Sequence, residues 1–166
     1  MFRRIADFEK SWAADSEATL KVLRALTDAS LGQSVAPGGR TLGRLAWHLT
    51  CTLGEMPGHV GLEVDSPLED SDPPGSAAAI ATAYETASRS LLAQLKAWDD
   101  ATLDVEDDMY GQRWTRGFTL QALLEHQIHH RGQMTVLMRQ AGLRVPGIYG
   151  PAREDWASMG MQPPKV

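Results

Sequence analysis

The sequence predicts an all-α protein, a four-helix bundle with long crossover connections. Four segments of about 15 to 25 residues place apolar side chains at spacings of three and four, the period of an amphipathic helix. Between them the sequence lacks the strict apolar–polar alternation of a half-buried strand. A chain of 166 residues is long enough for one domain with its own core, so we expect a single domain over residues 1–166.

The first two predicted helices are separated by the helix-breaking sequence APGG at 36–39. The first runs from residue 2 to about residue 27, with an apolar stripe of Ile5, Phe8, Trp12, Leu23 and Leu26. Thr41 is a candidate N-cap for the second helix, because its hydroxyl can accept an amide hydrogen of the first turn. That helix ends at the Pro-Gly pair 57–58, and its apolar face comprises Leu42, Leu45, Ala46, Leu49, Leu53 and Met56.

The third predicted helix begins after Ser76 as N-cap and runs to about residue 98. Its apolar stripe is Ile80, Ala83, Tyr84, Ala87, Leu91, Leu95 and Trp98. The connection before it, residues 59–75, contains proline and is long enough to cross from one end of a bundle to the other. These two helices can therefore point in the same direction.

The fourth predicted helix begins near residue 119 and continues to residue 141, where Gly142 can supply its C-terminal cap. Its core side comprises Leu120, Leu123, Leu124, Met134, Leu137, Met138 and Ala141. Residues 99–117 connect it to the third helix, and the sequence YGQ at 110–112 suggests a tight turn that can close a short hairpin.

Charge and cysteine content exclude several classes of protein. The net charge is −5 and no stretch reaches the roughly 20 apolar residues of a membrane helix, so we expect neither membrane insertion nor nucleic-acid binding. The N-terminus turns acidic before any apolar stretch, and a lone cysteine suits a reducing compartment, so we expect the cytoplasm. Eleven of the 21 acidic residues lie in 63–72 and 99–108, and the remainder carries a positive balance that can attract a small anionic substrate.

Histidines on the fourth helix form a candidate metal clamp. His126 and His130 lie one turn apart and about 40° from each other around the helix, so their imidazoles can converge on one point at the border of the apolar face. His129 points towards solvent. A pair at this spacing also arises by chance, and two surface histidines are the alternative interpretation.

A third candidate ligand lies in the second helix. His48 also flanks an apolar stripe, and two imidazoles from one helix with one from another would make a three-nitrogen site that leaves positions open on a divalent ion. The alternative is a hydrogen-bonded histidine at the edge of the core. Glu55 is in line with His48 and is either an acceptor or base near the site or, as we favour, an exposed charge; His59 is expected on the surface.

Three sequence segments resemble the DinB/YfiT superfamily over essentially the whole chain. They are WHL at 47–49, HQIHHRGQM at 126–134 and VPGIYGP at 145–151. The resemblance implies an up-down-down-up bundle, often a homodimer, with a three-histidine site for zinc, nickel or a related ion. By position the implied ligands are His48, His126 and His130, the same three that the helical periodicity selects.

The same resemblance implies metal-dependent chemistry on a small-molecule substrate. Characterised relatives resemble transferases that use a low-molecular-weight thiol as cosubstrate, so we expect a small-thiol S-transferase or a hydrolase, with no catalytic residue identified. The alternative is a stress-induced dimeric metal-binding or scaffold protein without turnover. Nucleic-acid binding is suggested only by the superfamily's name.

Several further residues invite interpretation. Arg131 falls in the core sector of its helix and needs a partner, either an anion near the metal or, as we favour, a salt bridge. Cys51 is expected on the outside or in an interface, and not as a nucleophile. Ser16 and Thr19 either line a cavity or bond to their own helix. The tryptophans are expected in the core or in interfaces, at positions 12, 47, 98, 114 and 156.

Overall fold

The computed structural model describes residues 1–165, and all four predicted helices are present. Val166, the last residue of the predicted 1–166 domain, lies outside the described residues. The helices are α1 Ile5–Arg24, α2 Leu42–Gly58, α3 Ala77–Leu95 and α4 Arg116–Gln140. A two-stranded antiparallel hairpin, β1 Glu106–Met109 and β2 Gln112–Thr115, precedes α4, and short 3-10 turns occur in the connections.

Side-chain caps determine where three of the helices begin. The hydroxyls of Thr41 and Ser76 accept first-turn amides of α2 and α3, as predicted. The third cap is Thr115, which accepts from the amide of Phe118, so α4 begins three residues earlier than expected. At the same end of the bundle, α1 begins at Ile5 and not at residue 2, because the amide of Phe2 bonds to the first turn of α4 instead of entering a helix. Its other end also comes earlier than predicted, at Arg24.

The bundle has the up-down-down-up topology that the resemblance implied. Helices α1 and α2 each pack against both α3 and α4, so α1 and α2 are diagonal to each other. Hydrogen bonds between the helices and their flanking residues set the directions. For α1 with α4 they are Phe2–Gly117 and Asp15–Arg131, and for α1 with α3 they are Trp12–Ser88 and, just beyond the end of α1, Asp28–Ala77. For α2 with α4 the hydrogen bond is Thr52–Gln127, and Leu45 and Leu137 line one cavity. Thus α1 runs parallel to α4, while α2 and α3 both run the opposite way.

The crossover between α2 and α3 is fastened to α2. Arg44 donates hydrogen bonds to the backbone oxygens of Ser71 and Glu69, at 2.7 and 2.8 Å. The indole of Trp47 donates to the Ser71 hydroxyl. These bonds hold residues 69–71 over α2, so a side chain from this connection can contribute to a site on the helix.

The hairpin between α3 and α4 confirms the turn suggested by the sequence. Its two-residue loop is Tyr110–Gly111, both with positive φ, 56° and 78°. A type I′ turn requires this left-handed backbone at both positions, which glycine adopts freely and tyrosine rarely does. The loop directs Tyr110 towards α2, where its hydroxyl bonds to Glu55.

The core fills the space between all four helices and includes Phe8, Trp12, Leu49, Tyr84 and Leu91. Trp12 and Trp47 are buried, and the other three tryptophans are half-buried. The prediction for Cys51 is wrong: its side chain is fully buried, because α2 packs against two helices and is covered by the crossover, so its buried face is wider than the apolar stripe. Within residues 1–165 there is no helix with the length and apolar character needed to cross a membrane.

Candidate metal centre

The candidate centre lies where α2 faces α4. Gln127, fully buried on α4, donates to the backbone oxygen of Leu49 at 3.0 Å and to the hydroxyl of Thr52 at 3.3 Å. Gln127 directly follows His126, and Leu49 directly follows His48, so this contact fixes the register of the two helices next to both histidines. Buried amide bonds of this kind resist sliding, since a shift leaves polar groups unpaired away from water.

The three predicted histidines meet at this point. One ring nitrogen from each of His48, His126 and His130 lies within 4.8 Å of the other two, and the ring centroids are 4.4 to 4.9 Å apart. The Nε2 atoms of His48 and His126 are 3.1 Å apart. Ring nitrogens at that separation are close enough for both to bind one divalent ion. The donor set and its spacing therefore fit a divalent metal ion.

Glu69 orients the first of these histidines. The Nδ1 of His48 lies 2.5 Å from Oε1 of Glu69, and because a carboxylate only accepts, the hydrogen of the imidazole is on Nδ1. Its Nε2 is then left with a lone pair directed at the other two rings. Carboxylates in this position fix the tautomer and raise the basicity of a metal-binding histidine.

Gln133 orients His130 in the same way. Its Oε1 accepts from Nδ1 of His130 at 2.7 Å, while its amide nitrogen donates to His129. The Nε2 atom of His130 therefore also carries a free lone pair. The Nδ1 of His126 is buried and has no hydrogen-bond partner among the described residues.

The surroundings of His126 and His130 favour the uncharged imidazole. Burial, with a further contribution from the neighbouring rings, lowers the pKa of His126 to about 4, and the pKa of His130 is lowered in the same direction for the same reason. Only a neutral imidazole offers a lone pair to a metal. These two histidines of the cluster are therefore neutral at pH 7 and can offer lone pairs to a cation.

Two cavities open beside the histidines. The hairpin cavity, of about 420 Å³, contacts His48 and His126 and is bounded by Glu55, Glu69 and the hairpin residues Tyr110 and Trp114. The His130 cavity, of about 510 Å³, lies on the other side and contacts His130, with mostly apolar walls. Both volumes suit a small-molecule ligand.

Residues outside the cluster clarify the sequence predictions. His129 and His59 are exposed, as expected. Glu55 is half-buried and accepts hydrogen bonds from Tyr110 and His59, so it is neither the acceptor for His48 nor the exposed charge that we favoured. That acceptor is Glu69, which sequence reasoning missed because it lies in the crossover, where neither periodicity nor spacing to a histidine marks it.

Arg131 has the salt-bridge partner that we favoured. Its guanidinium is 1% exposed and bonds both carboxylate oxygens of Asp15, at 2.7 and 3.0 Å. The hydroxyls of Thr19 and Tyr149 complete its shell, and Thr19 also donates to the backbone of its own helix. Ser16 bonds its own helix as well, to the backbone oxygen of Ala13. Arg131 therefore joins α1, α4 and the C-terminal segment.

Cys51 lacks the properties of a nucleophile. Burial raises the pKa of its thiol to about 11, so the reactive thiolate is scarce at neutral pH. The side chain is also inaccessible to solvent. Cys51 therefore supplies no reactive thiolate in the folded chain.

Comparison with known proteins gives a consistent picture. The model of the DinB family matches residues 1–165. The chain is 47% identical over 167 residues to the uncharacterized protein YrdA of Bacillus subtilis (strain 168), with full coverage of both chains. A DinB-like protein from Bacillus cereus ATCC 10987 has a similar crystal structure, with 42% identity, a TM-score of 0.87, and coverage of 90% of this chain and 100% of that one. The DinB-like protein YjoA of Bacillus subtilis shares the fold at 16% identity and a TM-score of 0.68, covering 88% of this chain and 99% of its own.

Proposed function

The chain belongs to the DinB family, and from that premise we propose that it is a divalent-metal-dependent enzyme that activates a small thiol or water. The observation that carries the proposal is the meeting of His48, His126 and His130 from two helices at the walls of two ligand-sized cavities. We expect zinc or nickel, since both accept imidazole nitrogen.

A three-histidine donor set suits a reactive centre better than a structural one. Structural zinc sites usually use four protein ligands, whereas catalytic sites keep a position open for water or substrate. Among residues 1–165, the cluster contains three histidines and no cysteine or carboxylate ligand. A bound divalent ion supplies Lewis acidity, which lowers the pKa of a coordinated thiol or water.

The chain's own residues contribute orientation and access. Glu69 and Gln133 hold the rings of His48 and His130 by their Nδ1 hydrogens, so that both Nε2 atoms stay aimed at the centre. The cavities leave room for a nucleophile and an electrophile to approach from different sides. Because Cys51 is buried, transfer of a thiol would use a low-molecular-weight thiol as cosubstrate.

Metal content tests the basis of this proposal. Protein purified without a histidine tag is expected to contain about one zinc or nickel per chain by inductively coupled plasma mass spectrometry, and His48→Ala is expected to lose it. His59→Ala is the matched control, since His59 is exposed and outside the cluster. A parent protein that neither contains metal nor binds added zinc or nickel would refute the proposal.

Activity assays separate the reaction types. Consumption of a small thiol with a panel of electrophiles tests S-transfer, and a panel of esters and amides tests hydrolysis, each with the metal-loaded parent beside His48→Ala. Equal rates for the two proteins would remove the enzymatic proposal in that assay. Stoichiometric metal without turnover in either panel would instead favour the alternative, a metal-binding or scaffold protein active in stress.

We also expect a homodimer in the cytoplasm. The dimer is what the resemblance to the DinB/YfiT superfamily implies, and the lone cysteine favours a reducing compartment. Sedimentation equilibrium of the purified protein measures the oligomeric state, and a monomer at all concentrations would contradict the dimer.

A further inference from the structure

The His130 cavity combines apolar walls with one cationic side chain. Its apolar lining residues are Val35, Ala36, Leu45, Val136 and Leu137. The polar members are the candidate ligand His130, its partner Gln133, and Arg40. No acidic residue lines it, although the hairpin cavity on the other side of the cluster contains two glutamates. The two cavities therefore present opposite charges to a ligand.

The loop that carries Arg40 is held at its base. Ser34 and Thr41 form a β-bridge, and the amide of Leu42 donates to the backbone oxygen of Gln33 at 2.7 Å. Gly43 allows the chain to approach closely, since a Cβ there would lie 3.1 Å from the Cβ of Leu31. A loop closed in this way presents its side chains from a defined position, so Arg40 is part of the cavity and not of a free tail.

Arg40 has no anionic partner of its own. Its side chain is exposed and makes neither a salt bridge nor a side-chain hydrogen bond within residues 1–165. Arg40 and the cluster residue His130 line the same cavity. An anion that pairs with Arg40 would thus lie beside the centre.

The apolar walls require a ligand with an apolar body. Val35 is 69% exposed and Val136 is 53% exposed, although both line a cavity. Covering such groups is favourable in proportion to the apolar area removed from water. A purely polar anion would pair with Arg40 but leave these side chains in water.

We propose that the His130 cavity binds a small amphipathic carboxylate, with its carboxylate on Arg40 and its apolar body on Val35 and Val136. This deepens the proposed function by naming the substrate class, and only the role of the ligand as substrate rests on that function. Binding itself requires Arg40 and the apolar walls and not the metal. The carboxylate site and the metal-dependent function can therefore be refuted independently of each other.

Binding of octanoate to the metal-free protein tests the proposal. We expect saturable chemical-shift changes in residues 35–40 and 133–137, and a dissociation constant raised about two- to fivefold in Arg40→Gln, because an ion pair to an exposed side chain is lost. Arg40→Lys should keep much of the affinity. Arg89→Gln is the matched control, since Arg89 is exposed, makes no side-chain hydrogen bond or salt bridge within the described chain and lies on α3, away from the cavity. Octanamide, which has the same body without the charge, should bind more weakly than octanoate.

The results of the octanoate and metal-binding experiments together distinguish the carboxylate site from the proposed metal-dependent function. Octanoate binding that is unchanged in Arg40→Gln, equal binding of octanamide, or shifts confined to the hairpin cavity would each overturn the carboxylate site. Loss of octanoate binding in Arg40→Gln by a protein that binds no metal would support the site and refute the metal-dependent function. Stoichiometric metal in a protein that does not bind octanoate would refute the site alone.

Discussion

Replacing Glu69 by glutamine should weaken metal binding without unfolding the protein. Glutamine keeps the size of the side chain but removes the negative charge of the carboxylate, whose Oε1 accepts a hydrogen bond from Nδ1 of His48 at 2.5 Å. Arg44 holds the backbone at residue 69, so the new side chain stays near the ring. An amide is a weaker acceptor than a carboxylate, and its nitrogen can present a hydrogen to Nδ1 that favours the wrong tautomer.

The size of the effect follows from the surroundings of the contact. Loss of a residue that orients a metal-binding histidine typically costs 10- to 100-fold in affinity, or about 1.4 to 2.7 kcal/mol. The side chain of His48 is 12% exposed and that of Glu69 is 36% exposed. The Oε2 atom of Glu69 is nevertheless buried and has no hydrogen-bond partner among the described residues, so water screens the carboxylate little and we expect the full range, about 10- to 100-fold.

Competition between the metal-free protein and a chromophoric zinc chelator at pH 7.5 measures this affinity. Glu55→Gln is the control, because Glu55 lines the same cavity but contacts Tyr110 and His59 instead of the cluster. Circular dichroism of both variants checks the fold. If Glu69→Gln bound zinc as tightly as the parent while His48→Ala bound none, the orienting role of Glu69 would be refuted.

The remaining predictions concern the buried arginine, the pH dependence and the cysteine. Arg131→Met should lower the free energy of unfolding by about 3 to 5 kcal/mol and Tm by about 10 °C, because the buried carboxylate of Asp15 loses its charged partner. The double variant with Asp15→Leu should recover part of this loss. No recovery would argue that the ion pair is not the origin of the effect. The free energy of unfolding of the metal-free protein should fall as the pH falls from about 6.5 towards 4, because unfolding restores the ordinary pKa of His126 and the unfolded chain then binds more protons. Urea titrations at several pH values measure this dependence, which should be weaker in His126→Asn. An equal dependence on pH in both proteins would contradict the assignment to His126. Cys51 should react with a chromogenic disulfide reagent only when the protein unfolds, and fast labelling of the native protein would contradict its burial.

The helices were predictable because their signals are local. Apolar spacing identified all four, and Thr41 and Ser76 marked two of their starts. The errors lie at helix ends, where a distant contact competes with a local preference. The bond from Phe2 to α4 moved the start of α1, and the cap by Thr115, the last residue of the hairpin, moved the start of α4. Cys51 was misplaced because a helix packed on two sides buries more than its apolar stripe.

The sequence by itself determined the four helices, their capping threonine and serine, and the three histidines at the border of apolar faces, because each depends on residues a few positions apart. Only the tertiary structure decided that these histidines meet, that Glu69 orients His48 from a crossover 21 residues away, and that Arg131 is paired with Asp15 across the bundle. Such contacts depend on how the chain crosses and packs, and no local spacing encodes them. The acidic carboxylate at the centre and the free cation of the His130 cavity are both products of that packing.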